Sequence, residues 1–261
     1  MPPPPFILVV NDDGPNSPGL WALVKALRKL GRVEALLPDR ERSAESHSLT
    51  LHKPLRLKRL WHPGETFHVL NGGPADCVRF GVLELFKDHR PNLVVSGINR
   101  GYNLGEDIVY SGTVAAAREA AMLGLPSLAL SQDAKARSHD HSARVASEIA
   151  RSVLKEGLPS GVCLNVNFPA TPGPWRGAEV TKLCHRIYTH KVTRRSDPRG
   201  GHYYWLIGKI VGGEGRAGTD IAALKRGAVS VTPLHWNATS LEAAGPLSLW
   251  PIFSRNGRRR R

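Results

Sequence analysis

The strongest constraint on the fold of this chain is an alternation. Short apolar runs recur along it, each followed by a polar loop and then by a stretch whose apolar residues keep helical spacing. Phe6-Ile7-Leu8-Val9-Val10 is the first run. After it, Ser17 and Pro18 suit an N-cap and a first helical position, and Leu20, Leu23, Val24, Leu27 and Leu30 share one helix face up to Gly31. Further strands are expected at 33–37, 93–95, 127–130 and 162–168, and further helices at 77–86, 113–123 and 142–155. Apolar runs without an alternating polar face are strands covered on both sides. Strand and helix in succession require right-handed crossovers, so the expected fold class is α/β: a Rossmann-like, mostly parallel sheet with helices on both faces. Residues 49–60, broken by Pro54, and 67–70 read as extended segments of an edge ribbon.

From about Pro169 the pattern changes, and Pro and Gly become frequent. Two extended candidates, 179–184 and 202–210, flank the polar stretch 185–201, which suggests a hairpin arm with the turn Ser196-Asp197-Pro198-Arg199-Gly200 at its tip. A short helix over 219–226 and a strand over 229–232 lead back to the body. The expected plan is a core with the active site over 1–168, an arm and return over 169–234, and an extension with a basic tail over 235–261.

Composition narrows the function classes. A chain of 261 residues with 41% hydrophobic and 22% charged residues is long enough for one large globular core. No apolar run approaches the roughly 20 residues that cross a bilayer, and the start, Met1 followed by four prolines, has no signal-peptide pattern. A cytoplasmic location and no membrane partner are therefore expected. Cys77, Cys163 and Cys184 are odd in number and widely spaced, which supports neither a disulfide framework nor a zinc site. The formal charge of +14 raises a nucleic-acid partner, but Arg255, Arg258, Arg259, Arg260 and Arg261 supply five of those charges from the last seven residues. A terminal basic run of this kind is more often a solvated end than a reader of bases, and nucleic acid is not the expected partner.

Chemistry concentrates in loops that follow strands. Asn11-Asp12-Asp13-Gly14 comes directly after the first apolar run, where adjacent carboxylates are costly without a cation. Taken alone it reads equally as a solvated turn. The loops after Leu37 and Val95 add the hydroxyl of Ser43 and the amide oxygens of Asn99 and Asn103, and in a parallel sheet all three loops emerge on one edge. Such oxygen donors suit a hard divalent cation. Ser111-Gly112-Thr113 opens a helix, whose N-terminal N–H groups and dipole favour an anion such as phosphate. There is no Walker loop and no dinucleotide glycine fingerprint.

At these residues the chain resembles the SurE survival proteins, metal-dependent 5′/3′-nucleotidases. The resemblance rests on NDDG at 11–14, PDRERS at 38–43, HSLTL at 47–51, VVSGINRGYNLGEDIVYSGTVAAAREA at 94–120 and SVTPL at 230–234. It spans nearly the whole chain apart from the proline start and the arginine tail. It implies one divalent metal ion per subunit on Asp12, Asp13, Ser43 and Asn99. Mg²⁺ or Mn²⁺ is expected there, and Ca²⁺ is also able to occupy the site. It further implies a phosphate site at Asn11, Gly97, Ser111, Gly112 and Thr113, which Asn103 borders. The implied fold is a Rossmann-like core with a C-terminal β-hairpin arm exchanged between subunits, giving a homodimer or homotetramer. Pro15, Ser17 and Gly73 depart from the usual family pattern.

The expected activity is therefore that of a 5′-nucleotidase or acid-phosphatase-like hydrolase. It would split nucleoside 5′- and 3′-monophosphates into nucleoside and phosphate, with short polyphosphate as a further candidate substrate. Asp12 and Asp13 carry the catalytic roles. His47 is the candidate for leaving-group protonation, and Tyr102, Tyr188 or Tyr203 for stacking on the base. Arg199 is a candidate to reach an anionic substrate from a neighbouring subunit. The alternative is a basic nucleic-acid-binding protein with a structural metal site.

Overall fold

The computed structural model describes residues 3–170, 175–189, 191–208, 210–213, 215–250 and 252, so the arginine tail lies outside the described residues. In chain order its elements begin with β1 (Phe6–Val10), α1 (Pro18–Leu27), β2 (Arg32–Pro38), β3 (Leu57–His62), β4 (Glu65–Leu70), α2 (Pro74–Phe80) and β5 (Leu93–Arg100). There follow α3 (Gly112–Met122), β6 (Ser127–Gln132), α4 (Asp140–Glu156), β7 (Val162–Phe168) and β8 (Ala178–Val180). The last part holds β9 (Arg186–Tyr188), β10 (Lys191–Ser196), β11 (His202–Ile207), β12 (Ile210–Gly213), α5 (Asp220–Lys225), β13 (Val229–His235) and α6 (Leu241–Ser248).

Nine strands form one sheet in the order β3-β4-β2-β1-β5-β6-β7-β13-β8. From β4 to β7 every neighbouring pair is parallel, while β3 on β4 and β13 on β7 are antiparallel. The two faces of β1 explain the layering. Ile7 and Val9 pack with Leu20, Leu23 and Leu27 of α1 and Ala143, Ala146 and Ala150 of α4. Leu8 and Val10 pack with Cys77 and Val78 of α2 and Ala116 and Ala120 of α3. Both sides of the strand are thus removed from water, the reason its sequence shows no polar alternation.

The expected α/β class, the strands and helices of the core and the edge ribbon all appear, with β3 and β4 forming the ribbon. Two segments differ. β5 was expected to end near Val95 but runs to Arg100, because its pairing with β6 resumes at Asn99 after a register shift following Ser96. Gly97 makes the bulge possible: its φ is +128°, and a Cβ there would stand 2.4 Å from Leu130 O.

The arm is also built differently from the expectation. Residues 179–184 do not pair with the strand at 202; β8 joins the main sheet beside β13 instead. The partner of β11 is β10, in register from Lys191↔Ile207 to Ser196↔His202, and β9 with β12 forms the base of the arm. A ribbon open to solvent on both faces needs no apolar alternation, so Lys191-Val192-Thr193-Arg194-Arg195-Ser196 reads as a polar stretch. The tip is the expected turn, where Arg199 N–H donates to Asp197 Oδ1 at 2.8 Å. The helix α6, with no buried residue, was not anticipated.

Gly97→Ala is expected to destabilise the protein by about 3 kcal/mol or more, through positive-φ strain and overlap with β6. Urea unfolding checks this: a midpoint shift should accompany an unchanged slope.

Candidate functional site

The parallel strands deliver their loops to one edge, as a parallel sheet must. Asp12 leaves β1 and is 4% exposed. Thr113 N–H donates to its Oδ2 at 3.1 Å and the Thr113 hydroxyl to its Oδ1 at 2.6 Å. The first turn of α3 therefore presses directly on this carboxylate. Gly112 permits the approach, since a Cβ there would lie 3.0 Å from Asp12 Cβ and 3.1 Å from Oδ2. Burial raises the Asp12 pKa to about 6, opposed by the Thr113 hydroxyl and reinforced by the neighbouring Asp13 charge.

Asp13 is partly buried, and its pKa is also raised, first by burial and then by Glu41 among the opposing and reinforcing contacts. The Arg100 N–H donates to its Oδ2 at 3.2 Å and the Ser17 hydroxyl at 3.4 Å. No lysine or arginine side chain pairs with either carboxylate among the described residues.

The loop after β2 brings Ser43 to the same place. Arg42 is its anchor: 8% exposed, it pairs with Asp39 and Glu45, each at 3.1 Å, while its N–H donates to Asp12 O at 2.7 Å. Beyond it Ala44 and Ser46 hold φ of +59° and +57°, a strained conformation kept in place by Ser46 bonds to Val109 O and Tyr110 O. Ser43 Oγ donates to Glu41 Oε1 at 2.8 Å and keeps its lone pairs free. Asn99 Nδ2 donates to Gly101 O at 3.0 Å, which commits the amide nitrogen and leaves the oxygen as an acceptor.

Two adjoining clefts open here. One, of about 300 Å³, is lined by Asp12, Ser43, Asn99, Tyr102, Asn103 and Ser111 among others. The second, of about 460 Å³, is lined by Asp13, Ser43, Glu41, Arg100, Arg137 and His139 among others. The structure thus brings Asp12, Asp13, Ser43, Asn99, Asn103, Ser111, Gly112 and Thr113 to one neighbourhood. Asn11 and Gly97 are buried; Asn11 Nδ2 donates to Gly14 O at 2.8 Å, and its Oδ1 has no hydrogen-bond partner. At the start of α3, Thr113 N–H is taken by Asp12 and Val114 N–H by Ser111 Oγ, which leaves the Gly112 N–H and the Ser111 hydroxyl hydrogen for an anion.

Other expected residues sit elsewhere. His47 Nε2 is 2.9 Å from Glu119 Oε2, and Glu119, 1% exposed, also takes Arg79 at 2.7 Å, so this histidine ties a loop to α3. Tyr188 is bonded to Asp107 at the base of the arm, and Tyr203 lies on the outer ribbon. Of the three tyrosines, Tyr102 borders the first of these two clefts and the other two border neither, and burial pushes the Tyr102 pKa up to about 12.

The second cleft's wall was missed. His139, Arg137 and Asp133 come from the loop after β6, a fourth strand end on the same edge that the edge rule already covered. His139 Nδ1 is 2.8 Å from Gln132 Oε1, and burial lowers its pKa while Asp13 works the other way.

Fold and site together define a doubly wound α/β protein with an acidic oxygen-donor pair set against a helix N-terminus. The chain belongs to the Survival protein SurE family, whose model matches residues 7–190. It is 46% identical over 255 residues to a 5′-nucleotidase SurE of Moorella thermoacetica, covering 94% of this chain and 98% of that one. To a 5′-nucleotidase SurE of Geobacter sulfurreducens it is 43% identical over 249 residues, covering 94% of each. The crystal structure of SurE protein from Aquifex aeolicus superposes with a TM-score of 0.80 at 40% identity, covering 94% of this chain and 98% of that one.

Thr113→Val keeps the helix but removes one donor to a buried carboxylate. It is expected to raise the Asp12 pKa further above about 6 and to cost about 1–2 kcal/mol of stability at neutral pH. Carboxyl titration by ¹³C NMR reads the first and thermal unfolding the second.

Proposed function

We infer that this chain is a phosphomonoesterase that hydrolyses nucleoside 5′- and 3′-monophosphates to nucleoside and phosphate. The relatives called 5′-nucleotidase SurE support the activity. The observation that carries it here is the buried Asp12 carboxylate held against the first turn of α3 by Thr113.

The residues fit a hard divalent cation. Two desolvated carboxylates lack a cationic side chain, the Asn99 oxygen and the Ser43 lone pairs are free, and Asn11 Oδ1 is buried without a partner. Asp12, Asp13, Ser43 and Asn99 would hold Mg²⁺ or Mn²⁺, which when bound supplies the positive charge that polarises the phosphoryl group and activates water. The Gly112 N–H and the Ser111 hydroxyl bind phosphoryl oxygens, and Asn103 and Tyr102 form the wall for the rest of the substrate. Asp12, with both oxygens engaged by Thr113, serves as anchor. Asp13, with longer contacts at 3.2 and 3.4 Å, is the carboxylate free to orient a water. His139, which lines the cleft beside Asp13 with Nδ1 held by Gln132, is the candidate to protonate the departing ribose oxygen.

The exposed ribbon, with Val192, Tyr204, Trp205 and Leu206 at 58%, 60%, 57% and 87% exposure, suits cover by a second copy and supports an arm-exchanged homo-oligomer. Three buried, unpaired cysteines suit a reducing compartment such as the cytoplasm.

Phosphate release from AMP in Mg²⁺ or Mn²⁺ tests the activity. The parent should turn over and a chelator should stop it, and Asp12→Asn should lower kcat/KM by on the order of a hundredfold. A parent that binds nucleic acid tightly with steep salt dependence but releases no phosphate would favour the binding-protein alternative.

Protons compete with the metal at a carboxylate whose pKa is raised to about 6, so metal affinity should weaken as pH falls through about 6. Calorimetry at pH 5 and 7.5 checks the sign, with proton release accompanying binding at the lower pH. His139→Gln should slow AMP hydrolysis far more than hydrolysis of p-nitrophenyl phosphate, whose leaving group needs no proton. Equal losses on both substrates would remove the acid role.

A further inference from the structure

The loop that carries Tyr102 and Asn103 along the cleft is fastened at both ends by buried groups that take no part in binding the acidic pair. At one end stand Asn165 and Asn167 of β7, both 0% exposed. They donate Nδ2 to Asn103 O at 2.8 and 3.0 Å, and Asn167 Oδ1 accepts the Asn103 N–H at 2.9 Å. At the other end stands Asp220, the first residue of α5, also 0% exposed. Its Oδ2 accepts the Gly105 N–H at 2.9 Å, while its Oδ1 accepts the N–H groups of Cys184 at 2.9 Å and of Ile221 at 2.7 Å.

Those partners belong to different parts of the chain. Gly105 closes the cleft loop, and Cys184 begins the arm. The next arm residues grip the segment after Gly105: Glu106 accepts the Arg186 N–H at 2.7 Å and faces His185, and Asp107 is bonded to Arg186 and Tyr188. Contact is close enough that a Cβ on Gly105 would stand 2.6 Å from Cys184 O. A buried carboxylate is costly unless donors surround it, and here three backbone amides do so.

We propose that Asp220 is a positioning residue that locks the cleft loop to the base of the arm, so that the placement of the arm sets how the nucleoside end of the substrate is received. This rests on the nucleotidase reading above. Asp220 makes no contact with Asp12, Asp13, Ser43 or Asn99 in the hydrogen-bond network, so its influence runs through Tyr102 and Asn103. The consequence is an effect on KM for nucleotides rather than on the chemical step.

Asp220→Asn is the selective test. An amide keeps two bonds by turning its oxygen to Cys184 and Ile221, which sets an NH₂ against the Gly105 N–H and breaks that link alone. In the full chain the expected result is a KM for AMP raised roughly tenfold, with kcat changed no more than about twofold and p-nitrophenyl phosphate hydrolysis nearly unaffected. Hydrogen exchange over residues 101–107 should quicken. An unchanged KM together with unchanged exchange in a folded variant overturns the proposal, as does an equal loss on both substrates. Faster exchange in a protein whose parent releases no phosphate from AMP would support the lock while sinking the nucleotidase reading. Should Asp220→Asn not fold, Glu106→Ala, at an exposed residue, carries the same expectation at roughly threefold in KM with faster exchange at 105–107. No change there overturns it.

Discussion

The site depends on one contact, the Asp12 carboxylate against the opening turn of α3. Burial pushes the acid towards its neutral form, and the Thr113 hydroxyl and N–H pull it back. That balance dictates its surroundings. A side chain at position 112 would crowd Asp12, and the α3 N-terminus sits at the C-terminal edge of β1, which in turn places the polar loop before Ser111 across the mouth of the cleft. The loop after β2 is drawn into the same arrangement through Arg42, whose backbone holds Asp12 O while its side chain holds the loop to itself. A site made of acids and amides is therefore held together by the chain's own contacts, with the electrostatic strain concentrated in two adjacent side chains.

Much of this was legible in the sequence because two-sided burial leaves a plain signature. Ile7 and Val9 face one helix layer and Leu8 and Val10 the other, so β1 is an unbroken apolar run; the core strands and helices follow from runs of this kind. Position after a strand also marks function, which is how Asp12, Asp13, Ser43 and Asn99 could be gathered from three distant segments. The same rule reaches His139 and Arg137 in the loop after β6, a strand end whose loop carries no acidic pair to mark it.

Other features had no local signal. The described residues of the β10 and β11 ribbon are largely exposed, so its pairing cannot be read from an apolar face, and the three residues of β8 pair with β13 rather than with the arm. His47 looks like a loop histidine free for proton transfer, yet its partner Glu119 lies 72 positions away. Asn165, Asn167 and Asp220 are polar residues within buried elements whose roles depend on which amide stands opposite, a matter of register between segments far apart in the chain. Such long-range polar pairings hold the cleft wall, whereas the residues facing the cleft come from recognisable motifs.

The reversal at β13 has a practical side. Because β13 runs antiparallel to β7, with His235 opposite Val162, the chain passes back across the sheet and emerges at the edge away from the cleft. The segment from Trp236 onward starts there, and α6 stands exposed. A dye or a tether joined at Trp236 would start at the edge of the sheet opposite the cleft. Attachment at Trp236 therefore offers a way to immobilise or report on the molecule from the side away from the cleft.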